Sequence, residues 1–398
     1  MTHAPLNPLL TQALASPIME AGGWVSANPP PPGRPLIDLS QAVPAGAPAL
    51  PIRQAIADAA LNDAAAHLYC SVLGRDPLRE AIADTWADLY GGQIKAANVG
   101  VTAGCNQAFC AAILSLAGPG DEVILPTPWY FNHKMWLDMS GIAAVPLATN
   151  QDCLPDVETA ASLITDRTRA IALVSPNNPT GVEYPPKLLR DLLALAAEEG
   201  IALIVDETYR DYHSADGAPH DLFAQPNWAN NFIHLYSFSK IMRLTGHRTG
   251  AVIASESRIA QIEKFLDTVT ICPSQMGQIG ALKGLETLTE TQATERAAFD
   301  GRRAALQAEF AAGIGDWRLI GSGAYFAYVE HPFDASSHDI CQQLVADQSV
   351  LILPGVFFGP TRAEGGDGFA EKTCRIAFAN VDEAGIAEMA NRLRAFTV

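Results

Sequence analysis

An open α/β sheet with helices on both faces, joined to a smaller α+β part, is the fold class the sequence predicts. Three observations predict it. Between residues 98 and 255, short apolar runs alternate with amphipathic stretches. After about 285 the character changes to one long polar-faced helix followed by a few strands. The composition is 48% hydrophobic and 17% charged over 398 residues, which is globular and ample for a sizeable core. Alternating strands and helices of this kind build a mostly parallel sheet covered on both sides.

The elements run in order along the chain. The proline run "ANPPPPGRPL" (27–36) predicts an extended link between an N-terminal arm and the body. "NVGVTAG" reads as a strand and "CNQAFCAAILSLAG" as a helix stopped by Gly118. "DEVILP" is a strand and "WYFNHKMWLDMSG" a helix; "IAAVPL" is a strand and "DVETAASLI" a helix. "RAIALVS" is a strand, "PPKLLRDLLALAAEEG" a helix, and "IALIVD" a strand. "NFIHLYS" and "TGAVIAS" complete seven strands. The small part is expected to hold a helix from Leu288 to Gly313, strands at "AYFAYVE", "VLILPG" and "TCRIAFA", and helices at "HDICQQLVADQS" and "DEAGIAEMANRLRAF". The expected division is 1–45 for the arm and part of the small domain, 46–285 for the large domain, and 286–398 for the small C-terminal domain.

Bulk properties narrow the function. The formal net charge of −17 argues against nucleic acid and anionic membrane as partners. No stretch is long and apolar enough to span a bilayer. "MTHAPLNPLLTQALASP" lacks the basic start and long apolar run of a secretory signal. The seven cysteines form no CxxC pair and no metal-type spacing, so reduced thiols in a cytoplasm, without a metal, are the expectation.

Ligands of open α/β sheets sit beyond the carboxyl ends of the strands. The residues just past each strand are therefore informative. After "NVGV" come Gly104, Cys105 and Asn106 at a helix N-terminus, where free N–H groups favour a phosphate. After "DEVILP" comes Tyr130, which on its own reads better as a core aromatic than as a ligand contact. After "RAIALVS" comes "PNNPTG"; a plain turn explains the prolines and Gly181 but not the paired amides Asn177 and Asn178. After "IALIV" come Asp206 and Tyr209; an acid ending a buried strand is costly unless paired, with a helix cap as the plainer account. After "NFIHLYS" comes "SKIMRLTGHRTG", which offers Ser237 just before it, Lys240, and Arg248 between Gly246 and Gly250. A phosphate nest, an aromatic ring, an amide, a carboxylate and a lysine together suit pyridoxal 5′-phosphate, whose aldehyde needs a lysine and whose ring nitrogen needs an acid.

With these residues the chain resembles the class I/II, fold-type I pyridoxal-phosphate aminotransferases, from "HLYCSVLGRDPLREAIA" to "CRIAFA". The motifs "NNPTG", "DETY" and "SKIMRLTGHRTG" stand in the family's order. The resemblance implies an aminotransferase that moves an amino group between an L-amino acid and a 2-oxo acid by a ping-pong mechanism. It implies Lys240 as the Schiff-base lysine and proton shuttle, Asp206 as partner of the pyridinium nitrogen, and Asn178 with Tyr209 on the phenolic O3′. Arg248, Ser237 and the Gly104–Cys105 backbone would hold the phosphate, with Asn106 beside them and Tyr130 stacked on the ring. The glycines beside Arg248 would let the backbone pass close to the anion. Tyr69 would reach the phosphate of a neighbouring subunit, which implies a homodimer with shared sites. Arg375, with Asn178, would bind the substrate α-carboxylate.

Some positions depart from the family pattern. Ala42 and Val43 stand where the family often has glycine and then a polar residue, His133 where relatives often have tyrosine, and Asn106 where some aspartate-preferring relatives carry lysine. No second cation is evident, with Arg34, Arg75 and Arg243 as the open candidates. Trp24, Tyr130 and His133 are the expected side-chain contacts, which suits a neutral or aromatic substrate. A carbon–sulfur β-lyase on the same fold is the alternative, because both reactions labilise the Cα–H bond. A ligand-sensing module is a more distant one, since the chain is acidic and shows no basic helix-turn-helix.

Overall fold

The computed structural model describes residues 4–44 and 46–398, with the side chains of 289–291 left out. Seven strands form the central sheet. From edge to edge they run Val99–Thr102, Gly250–Ile253, Phe232–Ser237, Ala202–Asp206, Thr168–Val174, Glu122–Thr127 and Ala143–Ala148. All neighbouring pairs are parallel except those made by Gly250–Ile253, which is antiparallel to both its neighbours. Strands covered on both faces need apolar residues at successive positions, and the alternation sorts them. Ile124, Ile171, Leu173, Leu203 and Val205 enter one core. Their neighbours Val123, Leu125, Ala170, Ala172, Ala202 and Ile204 enter the other.

A four-stranded antiparallel sheet lies in the C-terminal part, in the order Leu353–Pro354, Thr373–Ile376, Phe326–Glu330 and Arg318–Gly323. The N-terminal segment joins this part: Ile37–Asp38 pairs in parallel with Val350–Leu351. The apolar run "VLILPG", expected as one strand, is thus two short ones in different sheets, with Ile352 between them. The strand Arg318–Gly323 was not expected, and only its last residue is fully buried.

The long helix runs from Gln275 to Ala312, so it begins well before the expected Leu288. The unexpected first part contains three glycines, Gly277, Gly280 and Gly284, which are weak helix formers. A Cβ on Gly277 would meet the Thr249 hydroxyl, one on Gly280 would lie 2.8 Å from Ile56, and one on Gly284 would meet the Met242 sulfur. These glycines face close neighbours on one side of the helix, and packing outweighs their weak helix propensity. Further helices at Pro17–Ala27, Leu50–Asn62, Asp76–Tyr90 and Glu256–Thr270 were not anticipated. No helix among the described residues is long and apolar enough to cross a membrane.

Candidate active site

A cavity of about 480 Å³ opens at the carboxyl ends of the parallel strands. The turns after four strands deliver its polar groups. Asp206 ends one strand and Ser237 ends the next. Asn178 follows Thr168–Val174, and Tyr130 follows Glu122–Thr127. Asn178, Asp206, Tyr209, Ser237, Lys240 and Arg248 all line the cavity, together with Cys105, Asn106 and Tyr130.

Lys240 donates from Nζ to the carbonyl oxygen of Ala42 at 2.7 Å. Burial, reinforced by the positive charges of Arg375 and Arg248, pulls its pKa down to about 8. The amine lies 5.6 Å from the Tyr209 ring and 5.8 Å from the Tyr325 ring. Burial alone would push Asp206 toward its neutral acid, but His133 and the Thr208 hydrogen bonds outweigh it and its pKa is lowered. The Thr208 amide donates to Oδ1 at 2.9 Å, and His133 Nε2 stands 3.3 Å from Oδ2. The site thus pairs an amine whose pKa is drawn down toward neutral pH with a carboxylate kept ionised.

The turn "PNNPTG" divides its two amides. Asn177 is internal to the turn: its Oδ1 accepts from Thr180 N at 3.0 Å and from the Thr180 hydroxyl at 2.8 Å. Asn178 faces the cavity, and its Oδ1 accepts from Arg375 Nη1 at 2.8 Å. Arg375 is buried on the strand Thr373–Ile376, with its guanidinium 4.7 Å from the Phe326 ring and 4.9 Å from the Phe358 ring. Nη2 donates to Ser40 O, and Nε is buried without a partner among the described residues. Burial lowers its pKa to about 10, which leaves it a cation at neutral pH. Arg375 does not itself line the cavity; it lies behind Asn178.

The helix Cys105–Leu114 starts at Gly104, whose φ of 88° is the left-handed kind that favours glycine. A Cβ on Gly104 would strike the guanidinium of Arg248. Arg248 itself is left-handed at φ 51° and donates from Nη1 to Thr245 O at 3.0 Å. The two glycines beside Arg248 differ. A Cβ on Gly250 would lie 2.6 Å from Gly104 C and 2.7 Å from Cys105 N, whereas nothing lies within 4 Å of the Cβ position of Gly246. Close backbone approach therefore explains Gly250, and no contact among the described residues explains Gly246. The Cys105 thiol is pushed well above its usual range, first by burial and then by Asp206, and is neutral.

Several expected positions lie elsewhere. Tyr69 is 77% exposed and outside the cavity of its own chain. His133 does not line this cavity: its ring stacks on Phe109 at 3.7 Å and meets Tyr130 edge-on at 5.1 Å, with Nε2 toward Asp206. Trp24 packs against Phe357 and His338. Of the three expected side-chain contacts, only Tyr130 lines the cavity; Asn132 donates to its hydroxyl at 2.8 Å. Arg34, Arg75 and Arg243 do not line it either, and Arg243 is paired with Glu295 at 2.7 Å.

Sequence reasoning missed the Ala42 carbonyl, the two phenylalanines around Arg375, and the buried surroundings of Glu207. Glu207 accepts from the ring of His234 at 2.7 Å and lies 3.4 Å from His220, with the Tyr90 hydroxyl against it. The alternation of a strand supplied one signal: if Asp206 faces the cavity, its neighbour faces away.

The model of the family described as aminotransferase class I and II matches residues 34–393. The aspartate aminotransferase of Sulfolobus acidocaldarius is 28% identical over 88% of this chain and 88% of its own. The valine–pyruvate aminotransferase of Mycobacterium tuberculosis is 30% identical, covering 82% of this chain and 84% of its own. Among solved structures, a single mutant of the Thermus thermophilus aspartate aminotransferase superposes with a TM-score of 0.87 over 99% of this chain and 100% of its own. At 23% identity that likeness speaks for the fold. Because the family match spans nearly the whole chain, including every turn that feeds the cavity, this chain belongs to the aminotransferase class I and II family and is an aminotransferase.

Proposed function

We propose that the enzyme holds pyridoxal 5′-phosphate in this cavity and moves an amino group between an L-amino acid and a 2-oxo acid in two half-reactions. The observation that carries the reading is the pairing, on one cavity wall, of a Lys240 amine shifted to about 8 with the ionised, buried Asp206. The donor set fits the group. Gly104, with no Cβ, lets the Arg248 guanidinium close against the helix N-terminus, and that pairing of a cation with free N–H groups suits a phosphate. When bound, the cofactor supplies an electron-accepting ring conjugated to the migrating amino group.

The residues then have distinct tasks. Lys240 Nζ would anchor the group and, once free of it, would carry the proton taken from the substrate Cα. Asp206 holds a proton on the ring nitrogen, and His133 and Thr208 keep its carboxylate charged for that purpose. Asn178 and Tyr209 hold O3′, and Ser237 with Arg248 and the Gly104–Cys105 backbone hold the phosphate. Arg375 supplies a fixed positive charge for the substrate carboxylate; the Ser40 carbonyl on Nη2 must give way for a fork to form. Tyr69, exposed in a single chain, reaches the site of a second subunit in a homodimer. A cytoplasmic setting accords with the acidic charge and the seven unpaired cysteines. The division at 45 and 285 is also proposed. Support comes from the Ile37–Asp38 pairing with the C-terminal part; residue 45 lies outside the described residues, and the boundary at 285 falls inside the helix Gln275–Ala312.

The substrate class is set by the same wall. Besides Lys240 and Arg248, no cation lines the cavity among the described residues, while Tyr130, Ala42 and Val43 do. An acidic side chain buried without a partner costs several kcal/mol, so a neutral or aromatic amino acid is the preferred donor. Borohydride treatment of the holoenzyme, followed by peptide mapping, tests the anchor: the label should sit on Lys240, and its discovery on another lysine would defeat the reading. A panel of amino donors with one oxo acid then tests the side-chain preference, which fails if aspartate and glutamate prove best.

A further inference from the structure

One turn of the C-terminal part brings an aromatic face to each of two basic groups in the site. Tyr325 and Phe326 stand where the strand Arg318–Gly323 turns into Phe326–Glu330. Phe326 lies against the Arg375 guanidinium, and the Tyr325 ring lies 5.8 Å from Lys240 Nζ and 5.6 Å from the Tyr209 ring. The turn is pinned from two sides. A Cβ on Gly323 would strike the carbonyl oxygen of Gly181, so the turn rests backbone to backbone on "PNNPTG". The Tyr325 ring is fully buried, with Phe299 of the long helix at 4.7 Å and Tyr212 edge-on at 5.2 Å, and the hydroxyls of Tyr325 and Tyr212 are 3.3 Å apart. Burial raises the Tyr325 phenol above its ordinary range, so it faces the lysine as a neutral ring. Tyr325 does not line the cavity, so it reaches Lys240 from behind the substrate space.

We propose that Tyr325 is a positioning residue that stabilises positive charge on Lys240 Nζ through the face of its ring. The negative face of an aromatic ring attracts a cation within about 6 Å of its centre, more strongly where water is excluded. Other influences on Nζ are divided. Burial, Arg375 and Arg248 oppose its charge; Asp206 favours it, and Cys105 beside it is a neutral thiol. The Ala42 carbonyl oxygen and the rings of Tyr209 and Tyr325 add to the favourable side. Tyr209 has a second task on O3′, so Tyr325 is the ring whose effect on the charge can be read separately. The inference rests on the reading that Lys240 holds the cofactor, and it concerns the same nitrogen whether that nitrogen is free or bonded to the group.

The resting holoenzyme reports this charge without turnover, because the visible absorption of a lysine-bound cofactor changes as the nitrogen gains or loses its proton. The absorption is titrated with pH in the wild type, in Tyr325→Phe, and in the Tyr325→Phe variant with its phenylalanine fluorinated on the ring. Fluorine withdraws negative charge from the ring face and leaves its shape nearly intact. The fluorinated proteins are compared with Tyr325→Phe, so that loss of the hydroxyl contact with Tyr212 cancels. The midpoint should fall stepwise with each added fluorine, by about half a pH unit to one unit over the series. A ring that serves only packing would leave the series level. A normal wild-type titration beside a midpoint that stays level, or rises, with fluorination overturns this inference alone. A wild type with no such titration, and with the borohydride label on another lysine, would defeat the reading of the anchor and this inference with it.

Discussion

A carboxylate at the buried end of a strand is costly unless something keeps it charged. At Asp206 the balance is settled by neighbours that no local pattern announces. His133 arrives from the helix Phe131–Met139, and Thr208 closes the turn just beyond the strand. The position of Asp206 was legible because an acid ends an apolar run; its charge state was not, since it depends on a contact between residues distant in sequence. The same distinction holds for Arg375, legible in "CRIAFA", and the Phe326 and Phe358 rings around it, which were not. It also separates Asn178 from Asn177, identical in type and split only by the direction in which the turn sends each amide. Asp206→Asn should retain the cofactor through the phosphate contacts and lose about 10²–10³-fold in kcat, the usual scale for removing one preorganised electrostatic partner. An acid acting only as a cap would instead cost about 1 kcal/mol of stability with turnover preserved. Kinetics beside thermal melting separates the two.

Elements were legible where the apolar period was strong and illegible where packing overrode propensity. Six of the seven central strands could be read because both of their faces are buried; the edge strand Ala143–Ala148 buries only Leu147 and was read from its apolar run. The start of the long helix could not, because its glycines answer to Thr249, Ile56 and Met242 rather than to local preference. Gly250 shows how such a contact bears on the site. Its Cβ would press on the backbone of Gly104 and Cys105, which cannot rotate away as a flexible side chain can. Gly250→Ala should therefore cost about 1–3 kcal/mol as overpacking and weaken cofactor retention by displacing the helix N-terminus. Equilibrium unfolding and a cofactor titration would read the two effects. The strand Ala202–Asp206 leads into a second buried group on its far side, with a pH signature of its own. Burial raises Glu207, but His220 and His234 more than reverse this, so its folded pKa lies well below its ordinary 4.5. Burial also lowers His234 from 6.5, with Glu207 only partly opposing. In both cases the unfolded chain binds the proton more tightly. The stability each contributes is present above its unfolded pKa and lost as pH falls. The melting temperature should therefore decline from about pH 6.5 downward, more steeply below 4.5. Glu207→Gln should cost about 1.5–3 kcal/mol at neutral pH, the range for a buried hydrogen bond to a charged group.

At the scale of the whole molecule, sequence order identifies which strand ends feed the cavity, because strand, turn and helix repeat in register with the motifs. It cannot say whether one chain holds a whole site. Tyr69 makes the question concrete. Its ring is exposed, as is the neighbouring Leu68, and neither lines the cavity of its own chain. A phenol that serves the site from there must do so across a two-fold contact, where each copy gives to the other what it receives. Mixing Tyr69→Phe with Lys240→Ala subunits tests that geometry. In the mixed dimer, one site takes Lys240 from the first chain and Tyr69 from the second, so it is fully wild type, while the other site lacks both. At equal mixing half of the dimers are mixed, each with one wild-type site of two, and activity should return toward about a quarter of the wild-type enzyme's. Subunit exchange itself is followed by mass, so that a failure to recover can be interpreted. Exchange without recovery, from two impaired parents, would mean that each chain completes its own site and that the exposed Tyr69 serves something other than catalysis.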